Sequence, residues 1–526
     1  MRLKPFDVSL KAIPPVFRLA PRVGPIALTL CLAASLNGQE PDYGAVRRYV
    51  DEHQHAIVDE LLTLLAIPNV AADSVSIRRN AVLLQEMLRR RGIAARALET
   101  GGSPLVFGEL RVPGAARTVL FYCHYDGQPV DPSRWVGHRP FDPVLRAGPL
   151  ETSPAILPRS DPGTPYDPDW RLYARSASDD KSPIVALLAA VDALGDQGRL
   201  PTANLKFLFE GEEEAGSPNL EHALRKYASL LRADVAVFVD GPVHPSGSPT
   251  VGFGVRGIVS VSLTVYGPMR PLHSGHYGNW APNPAQRLAS LLASMKDETG
   301  RVRIPGWYDD VVPLSDTELR ALRRLPDDPA EMRALGVPVP EGEGRSRWEM
   351  VTLPSLNVDG IRSAWVGADA RTIIPDRAEA SLDFRLVRDV KPADQVARFI
   401  AYVESRGYHV VRSEPDAATR LRFPLLARIS TPEGRGYPAV RTPLDHPAAR
   451  SLIRELETAT GGDLVVIPTY GGSLPGFLFP ELLGAAFVTL PIVNPDNNQH
   501  SPNENLRLGN LFDGIVSLAA AMEAHW

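Results

Sequence analysis

Cysteine is nearly absent: Cys31 and Cys123 are the only two in 526 residues. If a leader carrying Cys31 is removed, one thiol remains and no intrachain disulfide can form. A chain of this size has enough core to do without one. Neither sign of charge dominates, since 56 basic residues face 61 acidic ones for a net charge of −5. That balance argues against nucleic acid or an anionic membrane as the main partner. The apolar run Pro25 to Leu36 is too short for an integral membrane span. Internal repeats are missing too, which sets aside solenoids and propellers.

What is present is a large, ordinary globular composition, 44% hydrophobic and 22% charged. The length predicts more than one domain, and 50 prolines predict many punctuated loops. The first residues, basic apart from Asp7, lead into Pro25 to Leu36 and its small residues. This pattern predicts a signal peptide over residues 1–38, cleaved between Ala34 and Gly38, and an exported protein, periplasmic or secreted. Cys31 raises a lipid anchor as a lesser reading, which Leu30 fits poorly, and an extension without such a role is a third.

Hydrophobic periodicity organises the rest. Helical spacing covers Tyr43 to Leu65 and Ser76 to Arg91. Short apolar runs follow ("TVLFYC", "NLKFLF", "DVAVFV" and later "LVVIP" and "AAFVTL"), with helical segments such as "SPIVALLAAVDAL" and "PNLEHALRKYASLL" between them. Strands alternating with helices predict an α/β catalytic domain, a mixed sheet with helices on both faces. The middle differs. Val255 to Gly267 and Ala378 to Val387 alternate with period two, as half-exposed strands do. With the helix "PADQVARFIAYVESRG" and the strand "YHVVRS" they predict an inserted α+β unit. The expected division is 40–253 and 425–526 for the catalytic domain and 254–424 for the insertion, with 300–350 a helical and loop excursion of it.

Chemistry gathers where the apolar runs stop. "TVLFYC" ends in His124 and Asp126, "WRLYARSAS" in Asp179, Asp180 and Lys181, "NLKFLF" in Glu210 to Glu214, "DVAVFV" in Asp240, and "AAFVTLPIVNPDNNQ" leads to His500. In an α/β sheet the carboxyl ends of strands collect along one edge, where ligands bind. Taken singly, each has a bland reading: a hydrogen-bonded histidine, a solvated turn, a charged helix start. Together they crowd carboxylates that cannot all ionise in a low dielectric unaided. Divalent cations resolve that conflict. Mixed imidazole and carboxylate donors suit zinc, with manganese or cobalt as alternatives, and one shared carboxylate can hold two ions.

These motifs, in this order, resemble the dinuclear zinc metallopeptidases, the family of carnosinase-type dipeptidases, glutamate carboxypeptidase, aminoacylase and succinyl-diaminopimelate desuccinylase. The resemblance runs from about residue 45 to the C-terminus and is strongest toward the carnosinase-like dipeptidases. It implies two zinc ions held by His124, Asp179, Glu214, Asp240 and His500, with Asp179 shared. It implies that Asp126 orients His124 and that Glu213 is the general base. His273 in "PLHSGHYGN" matches a histidine that stabilises the oxyanion, often in a partner subunit. Thr372, Arg385, Gly472 and Ser473 match substrate contacts, and a guanidinium at Arg385 suits a carboxylate. His276 reads as a solvent-facing loop residue. The resemblance further implies that the insertion is a lid and a homodimer contact. Ala174-Arg175-Ser176 replaces the family's Gly-Arg-Gly, and Ser182-Pro183 its Gly after Lys181, which bears on loop shape near Asp179.

The leading expectation is therefore an exopeptidase of dipeptidase or carboxypeptidase type, cleaving short peptides with metal-activated water. An N-acyl-amino-acid deacylase would use the same machinery with a more apolar pocket. A catalytically inactive peptide- or metal-binding protein would not need Glu213, and an oligomeric scaffold would not need so many buried carboxylates.

Overall fold

A computed structural model describes residues 42–161, 163–325, 329–432 and 436–526. The leader over 1–38, with its cleavage site and Cys31, lies outside the described residues.

Eight strands build the larger sheet, in the order 94–98, 105–110, 204–210, 118–124, 235–238, 486–489, 250–252, 465–467. Its centre is parallel: Thr118–His124 runs between Asn204–Glu210 and Val235–Phe238, with Ala486–Thr489 beyond. Parallel strands need both faces covered, so they read as unbroken apolar runs. Side chains still divide by parity. Val119, Phe121 and Cys123 enter one core with the helices Tyr43–Leu65, Lys181–Asp196, Pro447–Ala459 and Leu508–Glu523. Leu120 and Tyr122 enter the other, against Leu220–Lys226 and Leu478–Leu483. Cys123 is a free, buried thiol. Each parallel strand delivers its carboxyl end to one edge, which places Glu210, His124 and the segment after Phe238 side by side.

The smaller sheet orders strands 355–362, 377–386, 257–266, 426–430 and 409–411, and Gly436–Tyr437 also pairs with Gly257–Tyr266. Alternate residues of its long strands are buried against Pro284–Ala293 and Pro392–Ser405, as period two requires. The fold is thus mixed α/β with a second, α+β layer.

Three features depart from expectation. Leu426–Ser430 joins the smaller sheet, so that sheet runs past residue 424. An alternating five-residue strand does not announce which sheet it will join. The excursion over 300–350 caps the larger sheet as well: Leu322, Leu325 and Trp348 pack on Ile467 of its edge strand. There Glu318 and Arg441 form a buried ion pair at 3.4 Å. Finally, Arg171–Tyr173, which leads to Asp179, belongs to neither sheet. It pairs antiparallel with Val144–Arg146 and Asn505–Arg507. Among the described residues no helix is long and apolar enough to cross a membrane.

Candidate metal centre and active site

His124 closes its strand with a fully buried ring that meets two carboxylates. Its Nε2 lies 2.9 Å from Asp179 Oδ1 and its Nδ1 3.4 Å from Asp126 Oδ1. Asp126 is wholly buried and serves a second purpose, accepting the backbone N–H groups of Glu213 and Glu214 at 3.1 and 3.0 Å. It therefore fixes the imidazole and the turn that carries the adjacent glutamates.

Asp179 faces two imidazoles, one on each oxygen: His124 on Oδ1, and His500 on Oδ2 at 3.0 Å. His500 Nε2 is also 3.2 Å from Glu214 Oε2, and Gln128 donates to the same oxygen at 2.7 Å. Two triads result, His124–Asp179–Asp240 and Asp179–Glu214–His500, each with donor atoms within 4.8 Å of one another. Asp179 belongs to both. Its side chain is 7% exposed and that of His500 54%, so the centre opens to solvent on the His500 side.

The electrostatics match a site built for positive charge. Burial pushes Glu213 up to about 8. Burial and then the neighbouring Asp179 raise Glu214 to about 7 and Asp240 to about 6. Against its own burial, hydrogen bonds to His124 and His500 hold Asp179 below the carboxylate range. The hydrogen bond to Asp179 takes His500 to about 9. Carboxyls crowded this closely keep their protons until cations replace them. The donors, two imidazoles and three carboxylates with one shared, fit a pair of zinc-like ions with three protein ligands each.

Of the other sequence candidates, Arg385 and Ser473 come together: Arg385 Nη1 donates to Ser473 Oγ at 2.9 Å, and Asp383 holds its Nε at 3.1 Å. Gly472 accepts the Arg256 N–H at 3.0 Å. His273 and Thr372 adjoin each other, since the Thr372 carbonyl accepts the Ser274 N–H. Both are exposed, and among the described residues neither touches the carboxylate cluster. His273 Nδ1 instead accepts the Gly275 N–H, and its ring lies 4.6 Å from that of His276.

Sequence reasoning missed several supports. Asp180 accepts the His124 N–H at 3.1 Å. Asn69 donates to the Tyr125 carbonyl and to Ser176 Oγ. Lys181 is buried, with Nζ on the carbonyls of Leu64 and Ile67, where it closes the end of Tyr43–Leu65. The fully buried Glu504 grips the loop before Asp179. Asp180 and Lys181 do end an apolar run, and Glu504 sits four residues after His500 in the same motif, but the sequence assigned none of them a task.

Residues 120–524 match the family described as peptidase family M20/M25/M40. The Cys-Gly metallodipeptidase dug1 of Schizosaccharomyces pombe is 26% identical over 491 residues, covering 89% of this chain and 94% of that protein. The human Beta-Ala-His dipeptidase is 26% identical over 505 residues, covering 90% and 91%. Among solved structures, the M20 family metallo-carboxypeptidase Sso-CP2 from Sulfolobus solfataricus has a TM-score of 0.68 at 30% identity, over 89% of this chain and 98% of that one. Human carnosine dipeptidase 1 has a TM-score of 0.65 at 25% identity, over 92% and 98%. The expectation of export is corrected here. It rested on the basic-then-apolar leader, a pattern of composition alone, and the similarity to the Cys-Gly metallodipeptidases does not support it.

Proposed function

The chain belongs to peptidase family M20/M25/M40 and is a metal-dependent hydrolase of peptide bonds; from that premise we propose a two-zinc dipeptidase that recognises the free carboxylate of its substrate. The observation that carries this reading is Asp179, whose two oxygens serve two donor triads while Glu213 belongs to neither.

In this reading His124, Asp240 and Asp179 hold one ion, and Asp179, Glu214 and His500 the other. Manganese or cobalt suits the same donors. Zinc bound there would supply Lewis acidity to the scissile carbonyl and make the attacking water easier to deprotonate. Glu213, left free of metal, takes that proton and delivers it to the leaving amine. Its raised affinity for a proton suits both tasks. Arg385 and Ser473 form the anchor for the substrate carboxylate, where a planar guanidinium gives two parallel hydrogen bonds.

We further read the smaller sheet and its helices as a lid and a homodimer contact. The support is His273, exposed and apart from its own centre, which as an oxyanion donor would serve a partner subunit. A mixture of His273→Ala and Asp179→Asn proteins tests this. Hybrid dimers regain activity from one intact site, whereas an additive, inactive mixture refutes action across subunits.

The zinc-reconstituted protein is to be assayed on a dipeptide library beside N-acyl amino acids, with released amino acids identified and zinc counted by elemental analysis. Dipeptide turnover with two zinc ions per chain is the expected result. Preference for N-acyl amino acids would make it a deacylase, and one zinc or none would overturn the shared site.

A further inference from the structure

Glu504 is a fully buried carboxylate to which the proposed chemistry gives no task. It accepts four hydrogen bonds: the backbone N–H groups of Ser176, Ser178 and Asp179, each at 3.0 Å, and Arg175 Nη1 at 2.7 Å. Its own carbonyl accepts the Ala174 N–H at 3.2 Å. Main chain and side chain thus grip one loop, residues 174–179. Ser176 takes a positive φ of 61° there, curling the chain so that its N–H groups converge. Such groups left unpaired in the interior would destabilise the loop.

The grip joins two loops. Asp179 ends the first, and Glu504 ends the second only four residues after His500. The join is reinforced where Ser178 Oγ donates to the Asn505 carbonyl at 2.6 Å. The separation of Asp179 Oδ2 and His500 Nε2, 3.0 Å, is therefore set where Glu504 fastens the two loops.

We propose that Glu504 is a positioning residue for the metal centre, aiming Asp179 at both ions and holding His500 at matching distance. The proposal rests on the reading of Asp179 as shared ligand. Glutamine cannot replace it quietly, because its amide NH2 would face N–H donors and a guanidinium.

The test uses the full chain as Glu504→Gln and Glu504→Asp, with Asp179→Asn as comparator. Zinc affinity is measured against a chromophoric chelator, kcat and KM on a dipeptide the wild type hydrolyses, and Tm on metal-stripped protein. Zinc affinity is expected to weaken about 10–100-fold in Glu504→Gln, with kcat falling and KM nearly constant. Glu504→Asp, which keeps the charge but shortens the reach, is expected to fall between. Wild-type zinc affinity in both variants would overturn the proposal, even with a lowered Tm, because Glu504 would then serve folding alone. If Glu504→Gln fails to fold, wild-type affinity in Glu504→Asp is enough to overturn it. Undiminished zinc binding by Asp179→Asn would instead sink the shared-ligand reading. Zinc lost by Asp179→Asn but kept by both Glu504 variants sinks only the role of Glu504.

Discussion

Asp126 and Glu213 are joined through the main chain. One oxygen of the buried carboxylate accepts the Glu213 N–H at 3.1 Å and also lies 3.4 Å from the Nδ1 of His124. The same group therefore places a proposed ligand and the proposed base. Asp126→Ala should lower kcat about 10–100-fold, as loss of a carboxylate behind a ligating histidine does. It should weaken zinc binding as well, which equilibrium dialysis would register. A variant with full zinc affinity and full kcat would remove Asp126 from the site.

Glu213 gives the sharpest contrast. It lies outside both triads, so Glu213→Gln should retain two zinc ions by elemental analysis. Losing the proton carrier should cut kcat by at least about 10²–10⁴-fold. Zinc lost along with activity would mean that Glu213 is a ligand.

Metal removal should act on the two ions unequally. His500 serves one triad and Asp179 both. His500→Ala should keep about one zinc of two, and Asp179→Asn neither. Chelation should abolish wild-type activity and lower Tm, and added zinc should restore both, because an ion bound only by the folded chain stabilises it. Equal stoichiometry in the two variants would refute the sharing.

The proposed ligands His124, Glu214 and Asp240 were legible because each follows an apolar run that forms a parallel strand of the larger sheet, and buried parallel strands must release their polar residues at one edge. Asp179 was legible by motif but not by strand, since its three-residue lead pairs outside the larger sheet. Glu504 acts through a curled loop whose converging N–H groups have no sequence signature. The end of the smaller sheet was misplaced because Leu426–Ser430 looks the same whichever sheet it enters. His273 and Thr372 lie in exposed segments apart from the candidate metal centre, and the proposed placement between subunits is not written in one chain.

Arg385 should show itself in KM. With Asp383 on its Nε, the guanidinium is held toward Ser473. Arg385→Ala should raise KM for dipeptides about 10–100-fold, since a hydrogen bond to a charged group contributes about 1.5–3 kcal/mol. Arg385→Lys should recover only part, lacking the fork. Peptides amidated at the C-terminus should lose the difference between variants. If amidated and free substrates respond alike, the carboxylate is bound elsewhere.

Stability should fall with pH through one group far from the centre. Burial raises Glu523 from 4.5 to about 7, although Arg199 pairs with it at 2.5 Å. Glu455 opposes its charge nearby, and among the described residues the buried Oε2 has no hydrogen-bond partner. A carboxyl whose folded pKa exceeds its unfolded value binds more protons when folded. Its stabilising effect is complete below pH 4.5 and lost as pH rises to about 7. Glu523→Gln mimics the neutral acid, so its stability relative to wild type should improve across that interval, by about 1 kcal/mol once solvent screening is allowed for. Chemical denaturation of both proteins at pH 4.5 and 7.5, with zinc loading matched, measures the change. If the variant instead loses ground as pH rises, the Arg199 ion pair outweighs burial and the assignment is reversed.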